Sequence, residues 1–390
     1  MGIPMFKEDL QTLAQQHLLR ELSLINSPSN PVISVEGQEV LLFASNNYLG
    51  LANHPEVKEA AIKAIEKFGV GSGASRLISG NITPHHVLEG ELAHFKDTEA
   101  ALTFSSGYAT NLGVIPNLAT ADSLILADRL CHASLIDGCR LSRATLRVFH
   151  HNDVSHLKRL LAKPRSRTST LILTEGVFSM DGDVAPLPEI ARLAEEYGAT
   201  LLIDDAHGTG VMGATGRGTI EHFGLDPRRI LQMGTLSKAL GSSGGFVAGP
   251  KDFVAYLVNT SRSFIYTTAP PPAIAAAASA ALAIIQQEPQ RRATLWRNRE
   301  FLHHGLVAMG FQLTNTQSPI LPIMVNDPEL GVRMSQHLRA EGVWIPAVRP
   351  PTVPKGTSRL RITVTADHSL EHLEAALRAL RKVGKALKAL

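Results

Sequence analysis

Cysteine is almost missing from this chain of 390 residues; only Cys131 and Cys139 occur. Two thiols cannot form a disulfide scaffold for a chain of this length, and their scarcity fits a reducing compartment, so a cytoplasmic location is expected. Long apolar runs are missing too. Nothing approaches the roughly 18 uninterrupted apolar residues that a spanning helix needs. The most apolar stretch, Pro270 to Ile285, is rich in Ala and Pro and too short, so no membrane role is expected. The start, MGIPMFKEDLQTLAQQHLLREL, is polar and helix-like and lacks the apolar core of a signal peptide, so secretion is not expected. No sign of charge dominates: Lys and Arg number 38 against 35 Asp and Glu, a net charge of +3. The basic residues are dispersed, which argues against nucleic-acid binding, and the basic tail from Arg378 to Lys388 reads as the solvated face of a terminal helix. The 16 histidines include His85-His86, His150-His151 and His303-His304, but none has ligand spacing with cysteine or with a second histidine pair. No metal site is expected.

What is present is a globular composition, 44% hydrophobic and 19% charged, long enough for two or three domains. Short apolar runs recur at Leu124–Ala127, Leu146–Phe149, Leu171–Thr174, Leu201–Ile203, Ile230–Met233 and Phe246–Ala248, with helix-like stretches such as Leu187–Tyr197 between several of them. This pattern predicts an α/β fold with a mostly parallel central sheet covered by helices on both faces. The last hundred residues mix helical stretches (Arg291–Met309, Leu330–Glu341, Leu370–Leu387) with strand-like ones (Ile320–Val325, Val343–Ile345, Leu360–Val364), which predicts a smaller α+β domain. The expected division is a helical arm over 1–45, a large domain over 46–285 and a small domain over 286–390.

In parallel sheets, ligands bind beyond the C-terminal ends of the strands, and there the polar residues gather. Leu171–Thr174 leads into Glu175, Leu201–Ile203 into Asp204-Asp205-Ala206-His207, and Ile230–Met233 into Gly234-Thr235-Leu236-Ser237-Lys238. A lysine at a strand end followed by Gly241-Ser242-Ser243-Gly244-Gly245 is placed for desolvation, which makes an amine nucleophilic enough for Schiff-base chemistry; a surface lysine is the plainer alternative. The carboxylates of LLIDDAHG could hold a metal beside a phosphate loop, but no Gly-Lys-Ser/Thr loop exists. An Asp facing that Lys suits the pyridine nitrogen of pyridoxal phosphate (PLP) instead. Ser105-Ser106-Gly107-Tyr108 follows an apolar run and opens a helix-like segment, the geometry of a phosphate site. His132 also follows a strand. Gly69-Val70-Gly71-Ser72-Gly73 follows a helix-like stretch and is a poor dinucleotide fingerprint. Gly241–Gly245 is followed by a strand-like piece, which rules out a hydrolase elbow.

Five ordered motifs, SNNYLGL (45–51), DRLCHASLIDG (128–138), TEGVFSMDGD (174–183), IDDAHGTG (203–210) and TLSK (235–238) with the glycines after it, resemble those of the α-oxoamine synthases. These are fold-type-I PLP enzymes that condense an amino acid with an acyl thioester and release carbon dioxide. The resemblance runs from about residue 20 to about residue 370. It implies that Lys238 carries PLP, that Asp204 pairs with the ring nitrogen and that His207 reaches the ring hydroxyl with Ser179 nearby. It further implies that His132 stacks on the ring, and that Gly107, Tyr108 and Thr235 hold the phosphate. Thr268 would reach the phosphate of a partner subunit, since these enzymes are homodimers with shared sites, and Arg361 would clamp the amino-acid carboxylate.

Within the family, Arg349-Pro350-Pro351-Thr352-Val353-Pro354 is similar to the biotin-pathway branch, which uses L-alanine and a pimeloyl thioester carried by CoA or by acyl carrier protein. Arg20, read here as part of the N-terminal helix, matches a substrate-binding arginine of that branch, and Arg349 and Thr352 belong to the same expected substrate set. Cys131 departs from it, standing where serine is common. The competing expectation is a relative that makes 2-amino-3-oxobutyrate from glycine and an acetyl thioester.

Overall fold

The computed structural model describes residues 6–163 and 169–390. The chain divides into two compact units, one of Leu49–Ser179 and Val184–Arg292, the other of Met1–Tyr48, Met180–Asp183 and Ala293–Leu390.

The larger unit is built on a seven-stranded sheet. Its strands are β1 (Ala100–Phe104), β2 (Ser123–Asp128), β3 (Thr145–Phe149), β4 (Ser169–Glu175), β5 (Thr200–Asp204), β6 (Leu231–Thr235) and β7 (Gly245–Gly249), in the spatial order β1-β7-β6-β5-β4-β2-β3. Strands β2 to β6 are parallel, whereas β7 pairs antiparallel with both β6 and β1. The apolar runs read as strands are strands, one or two residues longer at most ends; the antiparallel β7 is the exception to the parallel pattern. It returns after only nine residues, too few for the crossover that a parallel neighbour requires.

Alternation within each strand sorts the core. Leu171 and Leu173 of β4, Leu202 of β5 and Met233 of β6 pack with Val114, Ile115, Leu135 and Cys139 on one face. Ile172, Leu201 and Ile203 pack with Leu157, Leu160, Leu187, Ile190 and Leu193 on the other. The helix Leu187–Glu196 shows why it lies there: Leu187, Ile190, Leu193 and Ala194 recur at helical spacing and are its buried residues. Both sheet faces are covered, so these strands are apolar throughout and not alternating.

The smaller unit holds an antiparallel sheet in which Ser358–Thr363 lies between Ile320–Asn326 and Ala347–Val348. Leu360 and Ile362 turn into a core with Phe43, Leu321, Leu338, Leu373 and Leu380, so the intervening Arg359 and Arg361 turn the other way. Two strands not anticipated from the sequence, Val32–Val35 and Gln38–Leu42, form a hairpin, and Val343–Trp344 adds to its edge in parallel. By these pairings, residues 1–45 group with the C-terminal residues and not as a separate helical arm. Among the described residues there, only Lys7–Gln15 is helical; His17 takes a left-handed φ of 56°, so Arg20 lies beyond the helix that was expected to contain it. The other division falls at 292–293 inside the helix Pro289–Met309 and not near 285. Arg292 ties the first turn of that helix to the larger unit, donating to the carbonyls of Ile285 (2.6 Å) and Ala214 (3.1 Å).

His368 links packing to pH in the smaller unit. Its ring stacks flat on Phe43 at 4.3 Å, lies 3.0 Å from the Leu42 carbonyl through Nε2 and accepts from the Thr365 N–H through Nδ1. Burial lowers its pKa to about 4. The unfolded chain, with histidine near 6.5, therefore binds a proton that the folded chain refuses between those values. The contribution is complete above about pH 6.5 and is lost as the pH falls to about 4, a loss on the order of 3 kcal/mol. Urea unfolding at both ends of that window should show the loss in the wild type. His368→Asn, weaker at neutral pH, should lack this component of the acid dependence.

Candidate active site

The register of the parallel strands brings the site together. Glu175 lies opposite Asp204, and Asp204 opposite Met233. Glu175 shares the face of Leu171 and Leu173, Asp204 that of Leu202, and Thr235 that of Met233. Three polar side chains thus end on one face, beside the helix Gly107–Leu118. Around them lies a cavity of about 250 Å³ lined by Gly107, Tyr108, Asn111, His132, Ser134, Glu175, Ser179, Asp204, His207, Thr235 and Lys238, among others.

At the end of β6 the chain closes tightly. Thr235 Oγ1 donates to the Gly244 carbonyl at 2.8 Å and accepts from the Ser237 N–H, and the Gly241 N–H donates to the Lys238 carbonyl at 3.0 Å. Gly241 has φ +63°, and a Cβ there would sit 2.3 Å from the Ala52 nitrogen, so the turn that presents half-buried Lys238 needs a glycine. Gly245 opens β7, and its Cβ would come 2.7 Å from the Gly107 nitrogen. This close approach seats the strand against the N-terminus of the helix Gly107–Leu118, which Ser106 caps by accepting from the Ala109 N–H. Unpaired N–H groups at that end suit an anion.

The two adjacent aspartates have different surroundings. Asp205 is fully buried and ion-paired with Lys96 at 3.0 Å. Thr219 donates to it through its hydroxyl and backbone N–H. Asp204 faces the cavity and accepts from Asn111 Nδ2 at 2.9 Å and the Ala206 N–H at 3.1 Å. Glu175, its neighbour across the strands, accepts from the His132 N–H at 2.5 Å. Burial, reinforced by the Asp204 charge, pushes the Glu175 carboxyl well above the usual range, against the pull of Lys238 and of the backbone N–H groups of His132 and Ser179. Loss of water around the His132 ring, with the nearby Lys238 charge, lowers its pKa against the opposing pull of Asp204 and Asp137.

The structure therefore brings Lys238, Asp204, His207, His132, Ser179, Gly107, Tyr108 and Thr235 to one cavity. Thr268 is not among the residues lining it; it is exposed and bridges to Ser75. Four expected substrate residues belong to the smaller unit. There Arg20 donates to Thr352 Oγ1 (3.4 Å) and the Pro350 carbonyl (3.3 Å), Arg349 donates to the Leu19 carbonyl (2.6 Å), and buried Arg361 donates to Asn46 Oδ1 (3.2 Å). Burial lowers the pKa of both Arg349 and Arg361, and the Arg20 charge adds to the effect on Arg349. Asn111, Ser134 and Glu175 escaped the sequence reading as site residues. Glu175 stood in view at a strand end, whereas nothing in the sequence marked the other two.

A buried carboxylate, a lysine on a small-residue turn, an imidazole beside both and a helix N-terminus at the far end form a donor set that fits PLP. The sequence matches the family "Aminotransferase class I and II" over residues 38–380. An 8-amino-7-oxononanoate synthase of Thermoanaerobacter pseudethanolicus is 45% identical over 382 residues, 98% of this chain and 97% of that relative. Another, from Geobacter sulfurreducens, is 47% identical over 381 residues, 97% of each. Among solved structures, a serine palmitoyltransferase from S. paucimobilis with PLP bound superimposes with a TM-score of 0.94 at 33% identity, covering 99% of this chain and 98% of the other. An 8-amino-7-oxononanoate synthase from Francisella tularensis has a TM-score of 0.78 at 30% identity, covering 90% and 99%. The chain belongs to the class I and II aminotransferase family, PLP-dependent enzymes of fold type I. Within that class it groups with the 8-amino-7-oxononanoate synthases, PLP-dependent acyltransferases.

The contrast between the aspartates can be measured. Asp205→Asn should lower the unfolding free energy by about 3–5 kcal/mol in urea, because Lys96 is left buried without its counter-charge. Asp204→Asn should leave the unfolding curve nearly unchanged but slow turnover by about two to four decades.

Proposed function

We propose that the protein condenses L-alanine with a pimeloyl thioester, carried by CoA or acyl carrier protein, to give 8-amino-7-oxononanoate, carbon dioxide and the free thiol in biotin biosynthesis. We further propose that it works in the cytoplasm as a homodimer in which Thr268 reaches the partner's cofactor phosphate. The single observation carrying the substrate choice is full-length identity of about 45% to 8-amino-7-oxononanoate synthases, against 33% to a serine palmitoyltransferase of nearly the same backbone. Free, buried Cys131 and Cys139 support a reducing compartment.

When bound, PLP supplies the electron sink for charge developing at the amino-acid α-carbon. The chain's own groups do the rest. Lys238 anchors the cofactor and takes the α-hydrogen as a proton. Asp204, kept aligned by Asn111 and Ala206, would keep the ring nitrogen protonated. His132 would cover the ring, His207 and Ser179 would meet its hydroxyl, and the Gly107–Tyr108 helix start with Thr235 would receive the phosphate. The carbon–carbon bond joins the alanine α-carbon to the thioester carbonyl carbon, the thiolate leaves and takes up a proton, the alanine carboxyl departs as carbon dioxide, and the α-carbon takes a proton back in its place. Arg361 is assigned the amino-acid carboxylate.

Pimelate is a dicarboxylate, so the far end of the acyl chain is anionic unless it is masked as an ester. Arg20 and Arg349 suit it: the charge of one bears on the other, Thr352 stands beside Arg20, and neither guanidinium forms an ion pair among the described residues. Two like charges without a counter-ion favour an anion, and guanidinium binds carboxylate through paired N–H groups.

The deciding test is an assay of amino ketone by mass spectrometry with three pairs: L-alanine with pimeloyl-CoA, glycine with acetyl-CoA, and serine with a long-chain acyl-CoA. The first pair should dominate; preference for the second would transfer the protein to the acetyl-transferring branch. Lys238→Ala should abolish both turnover and the visible absorbance of lysine-bound cofactor. Arg20→Ala should lower kcat/KM for pimeloyl-CoA about tenfold or more and spare a monocarboxylic acyl-CoA of equal length. An equal loss with both would remove Arg20 from recognition of the distal end.

A further inference from the structure

The His132 ring and the Asp204 carboxylate, which both line the cavity, are joined through Asn111 and Ser134. Asn111 is fully buried, and its Nδ2 donates both to Asp204 Oδ2 and to Ser134 Oγ, each at 2.9 Å. The amide must point this way, because turned over it would set its oxygen against a carboxylate oxygen. Ser134 Oγ thereby accepts from Asn111, and its own hydroxyl hydrogen is directed to His132 Nδ1 at 2.8 Å. The Ser134 N–H also points at Nδ1, at 3.3 Å. A backbone N–H can only donate, so Nδ1 carries a lone pair and the hydrogen of the neutral ring sits on Nε2.

We propose that Asn111 and Ser134 are positioning residues that lock His132 as the neutral ring with its hydrogen on Nε2 and, through the same amide, hold the Asp204 carboxylate in line. The roles of His132 and Asp204 toward PLP rest on the function proposed above; the lock itself is a property of these four side chains. It explains how a histidine beside a carboxylate avoids the charged form. Loss of water and Lys238 oppose ring protonation, Asp204 and Asp137 favour it, and Glu175 meets His132 through the backbone N–H. A donor aimed at Nδ1 blocks the one nitrogen that would have to take the proton. It also leaves Nε2 as the ring's only donor, a feature any partner of that ring must match.

The test uses full-length enzyme loaded with PLP and labelled with ¹⁵N in the histidine rings. The His132 resonances are assigned by their absence in His132→Asn. Wild type should show a bare Nδ1 and a protonated Nε2 near neutral pH. In Ser134→Ala, which loses the hydroxyl donor but keeps the backbone N–H, Nδ1 should take on part of the hydrogen and the titration midpoint should rise by about one pH unit, the worth of one hydrogen bond to the neutral form. Ser134→Thr, which keeps the hydroxyl, should restore the wild-type ring. Asn111→Ala should repeat the ring change and, with Asp204 released, hold PLP about tenfold less tightly in equilibrium dialysis. A wild-type ring protonated at Nδ1 would overturn the proposal. So would a Ser134→Ala enzyme that loses activity while its ring signals stay unchanged, since that is what a merely structural serine would do. If the ring signals are as expected but L-alanine and pimeloyl-CoA are not condensed, the substrate reading fails and the lock stands.

Discussion

The active site depends on the pairing of β4 with β5. This register sets Glu175 beside Asp204 on one face of the sheet, and two adjacent carboxylates in a buried place cannot both be charged without large cost. The surroundings decide between them. Asp204 receives the Asn111 amide and faces Lys238, whereas Glu175 is enclosed and ties two backbone N–H groups, those of His132 and Ser179. The Glu175 carboxyl is the one pushed up, and it holds the backbone N–H groups of His132 and Ser179. A slip of one residue by either strand would turn its carboxyl to the opposite face of the sheet and break the pair.

The same logic separates Asp204 from Asp205. Both follow the same apolar strand, and composition and spacing alone do not say which of them faces the cavity. Lys96 and Thr219 saturate Asp205 inside the larger unit, making it a structural ion pair. Asp204 retains an open side toward the cavity. The backbone does not choose the substrate, however. Serine palmitoyltransferase shares it closely, so acyl-chain preference lies in side chains, as expected where one fold hosts several reactions; the proposed function assigns it to Arg20, Arg349 and Thr352.

Much of the site was legible in the sequence because strand ends in parallel sheets carry the chemistry. Lys238, Asp204, His207 and the turn at Gly107 each follow an apolar run, and all four line one cavity. Arg361 and Thr268 rested on resemblance alone: an arginine in a strand and a threonine after a helix carry no local signal. Asn111 and Ser134 were invisible for a related reason. Asn111 sits in mid-helix among apolar residues, and its importance comes from partners 23 and 93 positions away.

By itself, the sequence determined the central α/β pattern, the positions of most strands of the large sheet, the lysine turn and the class of chemistry, because hydrophobic period and glycine placement are local properties of the chain. Only the tertiary structure decided the antiparallel β7, the grouping of the N-terminal hairpin with the C-terminal residues, the division within the helix Pro289–Met309 and the distinct surroundings of Asp204 and Asp205. It also decided which nitrogen of His132 bears the hydrogen. Each of these depends on which distant residues share a strand pair or a buried hydrogen bond, and burial, not sequence proximity, sets the strength of those contacts.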